Sequence, residues 1–310
     1  MNRIFLYPAG LILSLVSLWV PASPQKYVHD YGHVTLDAAP QRIAALNWTQ
    51  AEFLLSLGVT PVGVTTLKGY RHWQSNNPPM PEGVVELGHR AEPSLEALWQ
   101  LQPDLILGYN WRHGRLYDRL QAIAPTALYT QYPSQGDPRN YLTRMEDNFW
   151  RVAQLLDRTT LAEQHIKELE QTLAACRQRI KDAGLSGSRV MVGKFVGMGL
   201  GLRTYGEGSL AGAILEALSL ENAWVKTLPG RDFSHIDLTQ LPLVGDASLM
   251  LIGEVQGEAR TMTTSAVWNS LPAVKEERVY RTPNLWGFGG PVSAKRMAEE
   301  FTRQLTGDAG

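Results

Sequence analysis

The side chains able to do chemistry are few and scattered. An enzyme needs a nucleophile beside a base, a paired acid and base, or metal ligands at workable spacing. Of seven histidines, His29 and His33 stand at the i, i+4 spacing of a helical metal pair. HDYGHVTL, however, carries a glycine turn followed by strand alternation, which predicts a hairpin and destroys that geometry. His72, His89 and His113 each fall in a predicted loop at a strand's end, where they could converge on zinc or haem. Scattered histidines in a chain of this length are more often surface or hydrogen-bonding residues. No G-x-S-x-G elbow occurs. The single cysteine, Cys176, excludes an internal disulfide and a cysteine-rich metal cluster. GMGLGLRTYGEGS (197–209) lacks the strand, tight turn and immediate helix of a dinucleotide site. It reads as a flexible loop and helix entry with Ser209 as N-cap.

The placement of aromatic residues says more. Trp48 follows the first predicted strand, Tyr70 and Trp73 the second, and Tyr109 and Trp111 the fourth. Trp286 and Phe288 lie in a Gly-rich loop before the last helix, and Arg90 follows the third strand. In an open α/β sheet, the loops after the strands line one edge, where ligands bind. Aromatics there, with one or two arginines, suit a bulky, partly apolar ligand bearing anionic or polarised oxygens. Trp99 and Trp150, on helices, are expected in the core. GYRHWQSNNPP (69–79) reads as a polar, proline-stopped loop at the rim, held extended by its prolines.

These residues need elements to position them. RIAAL (42–46), PVGVTT (61–66), VVEL (84–87) and DLILGY (104–109) read as strands. TQAEFLLSLG (49–58), PSLEALWQLQP (93–103, Ser94 as N-cap) and GRLYDRLQAIAP (114–125) read as helices. From Asp137 to Gly184 no strand is predicted, and Ile166, Leu169, Leu173, Cys176 and Ile180 form one apolar helical stripe. Cys176 on that stripe is a buried small hydrophobe. RVMVGKF, SLAGAILEAL, SLMLIGEV and PVSAKRMAEEFTRQL then resume the βα alternation. The reading is an α/β protein: two α/β lobes joined by one long connecting helix.

Bulk composition agrees with that reading. The chain has 310 residues, 44% hydrophobic and 19% charged, enough for about two domains with their own cores. A formal charge of −1 advertises no nucleic-acid or anionic-membrane surface. Arg3, the apolar FLYPAGLILSLVSLWV and the small residues of VPA read as a signal peptide cleaved after Ala22. With no cysteine at that point, the expected product is a soluble periplasmic protein. The expected partition is leader 1–22, first lobe 23–158, connecting helix 159–184 and second lobe 185–310.

PQRIAALNWTQAEFLLSLGVTPVGV, GYRHWQSNNPPMPEGVVELGHRAEPSLEALWQLQPDLIL, LQAIAPT, NAW (222–224) and VYRTPNLWGFGG together resemble the periplasmic iron-siderophore-binding proteins of ABC importers, the class III binding proteins with a single connecting helix. The likeness runs over essentially the whole mature chain and is strongest to the ferric-hydroxamate binders. It implies binding and no catalysis, with no cofactor and no direct metal ligand, the ligand being an iron(III)–siderophore complex. Carried onto matching positions, the ligand contacts are Arg90, Trp48, Trp73, Trp224, Trp286 and Phe288, with Tyr70 and Trp111 as further lining. Where the family has a tyrosine after its fourth strand, Tyr109 is the natural substitute, with Arg112 or His113 as rivals. That loop also looks like the ferric-citrate relatives. Hydroxamate is therefore favoured, carboxylate or mixed types follow, and haem or cobalamin on the same fold remains a rival, as does a secreted α/β hydrolase. The implied partners are an inner-membrane permease, met through Glu96 and Glu216, and its ATPase, with the binding protein a monomer.

Overall fold

The computed structural model describes residues 24–132, 139–197, 201–226, 231–255 and 257–307; the expected leader, 1–22, lies outside them. Strands β1 (Gln25–His29) and β2 (Gly32–Leu36) pair antiparallel about the Asp30–Tyr31 turn, so His29 and His33 sit on a hairpin, as the glycine implied.

The first lobe then runs β3 (Ile43–Ala45), α1 (Trp48–Ser56), β4 (Gly63–Val64), α2 (Leu67–Trp73), β5 (Val85–Glu86), β6 (Gly88–His89), β7 (Glu92–Pro93), α3 (Leu95–Leu101), β8 (Leu105–Tyr109), α4 (Asn110–His113), α5 (Tyr117–Gln121) and β9 (Thr126–Tyr129). Its main sheet is parallel throughout, in the order β5-β4-β3-β8-β9. Helices on both faces bury its centre, and every residue of β3 and β8 is buried, as their unbroken apolar runs require. Asn47 caps α1 by accepting the Gln50 N–H (2.9 Å), and Ser94 caps α3 by accepting that of Ala97 (3.1 Å). Strand order reverses between β3 and β8, so the loops after those two strands open on one crevice, the switch point of such sheets.

Two readings of this lobe are corrected. GYRHW is helical: the Glu86 carboxylate accepts the N–H groups of Thr66 (2.7 Å) and Leu67 (2.8 Å), a cap brought from β5 that the stretch itself does not contain. The chain leaves that helix through Ser75 and Asn76, both at positive φ. The second correction is β9, a fifth strand hidden behind Pro125.

Helices α6 (Tyr141–Leu155) and α7 (Thr159–Asp182) follow. The second lobe comprises β10 (Arg189–Phe195), β11 (Leu202–Tyr205), α8 (Leu210–Ala217), β12 (Glu221–Asn222), β13 (Phe233–Ile236), β14 (Ser248–Ile252), α9 (Glu258–Thr263), α10 (Ala266–Ser270), α11 (Pro272–Lys275), β15 (Val279–Thr282) and α12 (Pro291–Thr306). Its sheet is mixed, β13-β11-β10-β14-β15, with β12 beside the start of β10 and β11 antiparallel to both neighbours. LRTY is thus a strand, where a flexible loop was expected.

The 24 residues of α7 span about 36 Å at 1.5 Å per residue. It lies along α12 and touches α1, α6 and α8. Leu169, Cys176 and Ile180 of its stripe are buried, and Ile166 and Leu173 are half-buried. Trp99 and Trp150 do not join the core: Trp99 is 68% exposed and Trp150 37%. On α3 only Leu98 is buried, so Trp99, one residue on, turns outward.

The lobes are bolted together. One apolar cluster includes Phe53 and Tyr70 from the first lobe and Tyr205, Phe288 and Phe301 from the second. Within it Glu52 of α1, fully buried, accepts the backbone N–H of Ser293 (2.9 Å), its hydroxyl (2.6 Å) and the Gln74 amide (2.5 Å). That carboxylate therefore caps α12 across the lobe boundary.

Candidate ligand-binding site between the lobes

A cavity of about 150 Å³ opens at the switch point, lined from the first lobe by Asn47, Trp48, Thr49, Arg90, Tyr109, Trp111, Arg112, Gln131 and Tyr132. The second lobe closes it with Arg203, Phe233, Trp286 and Phe288. Its floor is tied down: Thr49 and Gln131 both donate to the Phe288 carbonyl (2.5 and 2.9 Å), and Tyr141 donates to that of Gly289 (3.1 Å).

Arg90 is the best-defended group in the site. The Trp48 indole donates to the carbonyls of Thr65 (3.1 Å) and Thr66 (3.2 Å), which fixes its plane. Gly69 leaves room for that ring, since a Cβ there would stand 2.3 Å from Trp48 Cζ2. The guanidinium then lies 3.7 Å over the Trp48 ring and 5.2 Å from that of Trp286, while the two indoles stand 4.4 Å apart. Burial, and then the neighbouring Arg112, push its pKa down to about 10. Its Nε is buried and has no hydrogen-bond partner among the described residues.

Two further guanidinium groups face the same space. Arg112 donates through Nε to the Tyr109 hydroxyl (2.5 Å) and stands over the Tyr109 and Trp111 rings. Arg203, on β11, donates through Nε to His235 (3.2 Å) and lies 4.6 Å from the Phe233 centroid. Neither makes an ion pair among the described residues. Tyr132 packs edge-on against Tyr109, Trp111 and Phe288, joining the rings into one wall. Between β10 and the first lobe, the Lys194 ammonium sits 3.6 Å over Trp73, and burial pushes its pKa down to about 7. Asp232 is fully buried, neither of its oxygens has a hydrogen-bond partner among the described residues, and burial raises its pKa to about 7.

The parallel sheet, the long helix and a cleft between two α/β lobes are the frame of one family. Residues 43–285 match the model described as periplasmic binding protein. The chain belongs to that family.

Among this binding protein's relatives, the iron(3+)-hydroxamate-binding protein FhuD of Escherichia coli is 26% identical over 271 residues, covering 87% of this chain and 88% of FhuD. The Fe(3+) dicitrate-binding periplasmic protein FecB of the same organism is 25% identical over 310 residues, covering 95% and 93%. In three dimensions the chain resembles the siderophore-binding protein FhuD of Vibrio cholerae bound to Fe3+–Desferal, with 26% identity, a TM-score of 0.77, and 86% and 98% of the two chains covered.

Six expected contacts line the cavity of this periplasmic binding protein: Trp48, Arg90, Tyr109, Trp111, Trp286 and Phe288. Trp73 lines a second, larger cavity of about 610 Å³ between the lobes, with His72, Phe195, Met262 and Asn284. Tyr70 is fully buried, its hydroxyl donating to the Pro78 carbonyl (2.7 Å), so it is core and no contact surface. Trp224 is 2% exposed, packs in the second lobe's own cluster and borders a different cavity. Arg203, Gln131, Tyr132 and Phe233 were not singled out. Arg203 was lost with β11, and Tyr132 had only its position after the unread strand β9 to mark it.

The histidines do not converge. His72 and His89 are exposed, the latter accepting the Ala91 N–H (3.2 Å). His113 is fully buried, accepting the Tyr109 N–H on Nδ1 (3.1 Å) and meeting the Arg90 carbonyl with Nε2 (3.0 Å). Both its ring nitrogens are committed, so it neither ligates a haem nor reaches the cavity. Glu96 and Glu216 are exposed, one on each lobe.

Proposed function

We propose that this chain captures a ferric siderophore in the cleft and carries it to an ABC permease for iron uptake. The observation that carries this reading is the Arg90 guanidinium, stacked on the Trp48 indole with Trp286 beside it, on the wall of an aromatic cavity. A siderophore fills the iron's coordination sphere itself, so the protein needs donors for iron-bound oxygens and apolar faces for the carbon skeleton. Both are present. A volume of about 150 Å³ admits the metal-centre oxygens, while the ligand's arms extend over Trp111, 67% exposed at the mouth, and toward the second cavity. The hydroxamate named for the Escherichia coli FhuD supports hydroxamate groups around the iron; the dicitrate relative supports carboxylates.

The same reading assigns the lobes to 23–158 and 185–310 about a helix over 159–184, and docking to Glu96 and Glu216. The chain then acts as a monomeric periplasmic protein released by cleavage of 1–22, serving a permease and its ATPase. Calorimetry tests the reading: ferric siderophore binds with one site per chain and the iron-free siderophore binds far more weakly. Equal heats for iron-loaded and iron-free forms would count against it.

A further inference from the structure

We propose that the ferric complex taken by this chain carries net negative charge, with anionic oxygens beyond those that neutralise the iron, held by Arg90, Arg112 and Arg203. The inference rests on the siderophore reading and specifies the chemistry of its ligand.

Three guanidinium groups reach one cavity from three separate elements: the β6–β7 turn, α4 and β11. None has a carboxylate within ion-pair distance among the described residues, although the chain is acidic by one charge overall. Arg112 is held through Nε by Tyr109, and Arg203 through Nε by His235 and by a hydrogen bond to the Tyr205 hydroxyl, which orients both forks without supplying either with an anion. The Arg90 Nε has no hydrogen-bond partner among the described residues. Lys194 lies over Trp73, which lines the second cavity, and is also without a hydrogen bond or ion pair among the described residues. The buried carboxyl of Asp232 is sealed from solvent and makes no ion pair with Arg203.

Such an arrangement is costly without an anion. Like charges crowded at one cavity repel, by about 1–4 kcal/mol for a close pair at an effective dielectric of 20, and partly desolvated guanidinium groups add their own burial cost. Stability does not explain retaining all three, because neighbouring aromatic faces would pack as well against apolar side chains. A neutral complex leaves the repulsion standing; an anionic one removes it and gains forked, charge-assisted hydrogen bonds. Three hydroxamates neutralise Fe(III) and leave no charge over. An α-hydroxycarboxylate gives up two protons to the metal, so replacing one hydroxamate by that group, or adding free carboxylates, leaves the complex negative. The ligand class is therefore a ferric carboxylate or mixed hydroxamate–carboxylate complex.

Three ferric probes decide it: a neutral tris-hydroxamate, a tris-hydroxamate bearing a free ammonium, and a citrate-dihydroxamate with free carboxylates. The expected order of affinity is citrate-dihydroxamate, neutral, then cationic, with at least tenfold between the first two at low salt. That gap narrows as NaCl rises from about 20 to 300 mM, because screening acts on the ionic part. Arg203→Gln and Arg112→Gln each narrow it severalfold, whereas Arg203→Lys, which keeps the charge, retains most of it; thermal melts verify that each variant is folded. Neutral and anionic probes bound equally, or the gap unmoved by both glutamine variants, would overturn the charge assignment alone. No binding of any probe would overturn the siderophore reading and this inference with it.

Discussion

His113 bridges the two loops that present the site: its Nδ1 accepts the Tyr109 N–H at 3.1 Å and its Nε2 meets the Arg90 carbonyl at 3.0 Å. An acceptor at Nδ1 places the proton on Nε2, so the ring is neutral and donates to Arg90. Gly108 makes the space, since a Cβ there would stand 2.7 Å from Nδ1. His113→Ala is expected to weaken ligand binding about tenfold although the residue never touches the cavity, with His113→Asn intermediate. Burial holds its pKa down at about 4 against 6.5 in the open chain. The native protein therefore loses stability between pH 6.5 and 4, where only the unfolded chain takes up the proton. His113→Asn loses less over that window, read from urea midpoints at pH 7 and 4.5.

The stacking of Arg90 on Trp48 is tested by conservative change. Trp48→Phe keeps an aromatic face but removes the indole N–H that fixes the ring to the Thr65 and Thr66 carbonyls. A desolvated cation–π contact is worth about 1–2 kcal/mol, so affinity should fall about tenfold. Arg90→Lys is expected to lose more than Trp48→Phe, because an ammonium cannot offer the guanidinium's fork. Both are measured by fluorescence or calorimetric titration.

Glu52 governs the lobe boundary. Glu52→Ala leaves the Ser293 N–H buried without its acceptor and the Gln74 amide with only the Ser293 hydroxyl at 3.4 Å, a cost of about 2–4 kcal/mol in urea unfolding. Glu52→Gln keeps one acceptor and is expected to cost less than half of that. Because α1 and α12 are joined there, small-angle scattering should show little change in the radius of gyration on ligand binding.

Asp232 provides a second pH test of opposite sign. Its carboxyl is raised by burial to about 7 from 3.8, so the stability it favours is present below pH 3.8 and lost as pH rises to about 7. Asp232→Asn does not titrate there. The variant's advantage over the native protein should grow between pH 4 and pH 7.5, by about 1–4 kcal/mol, in paired melts.

The parallel half of the fold was legible because its strands are short, unbroken apolar runs bounded by helix signals, as in RIAAL before TQAEFLLSLG and DLILGY after Pro103. From that alternation follow the cleft and the positions of Trp48, Arg90 and Tyr109. Non-local chemistry was not legible. The cap of α2 comes from Glu86, some twenty residues on, and nothing within LKGYRHW announces it. Arg203 sits on LRTY, four residues beside a glycine-rich run, whose strand character comes from pairing with β10 and β13. Tyr70 and Trp73 lie on the same helix three residues apart, but Tyr70 is buried and Trp73 borders the second cavity. Only the helix that the sequence did not reveal separates their roles.

The central claim is most directly tested by titrating the purified protein with iron-loaded hydroxamate, carboxylate and catecholate siderophores while following tryptophan fluorescence. Trp48, Trp111 and Trp286 line the cavity, so a bound ferric complex should quench the emission, with half-effect at sub-micromolar to micromolar concentration for at least one class. Arg90→Ala should weaken that response at least tenfold. Emission unchanged by all three classes would contradict the account.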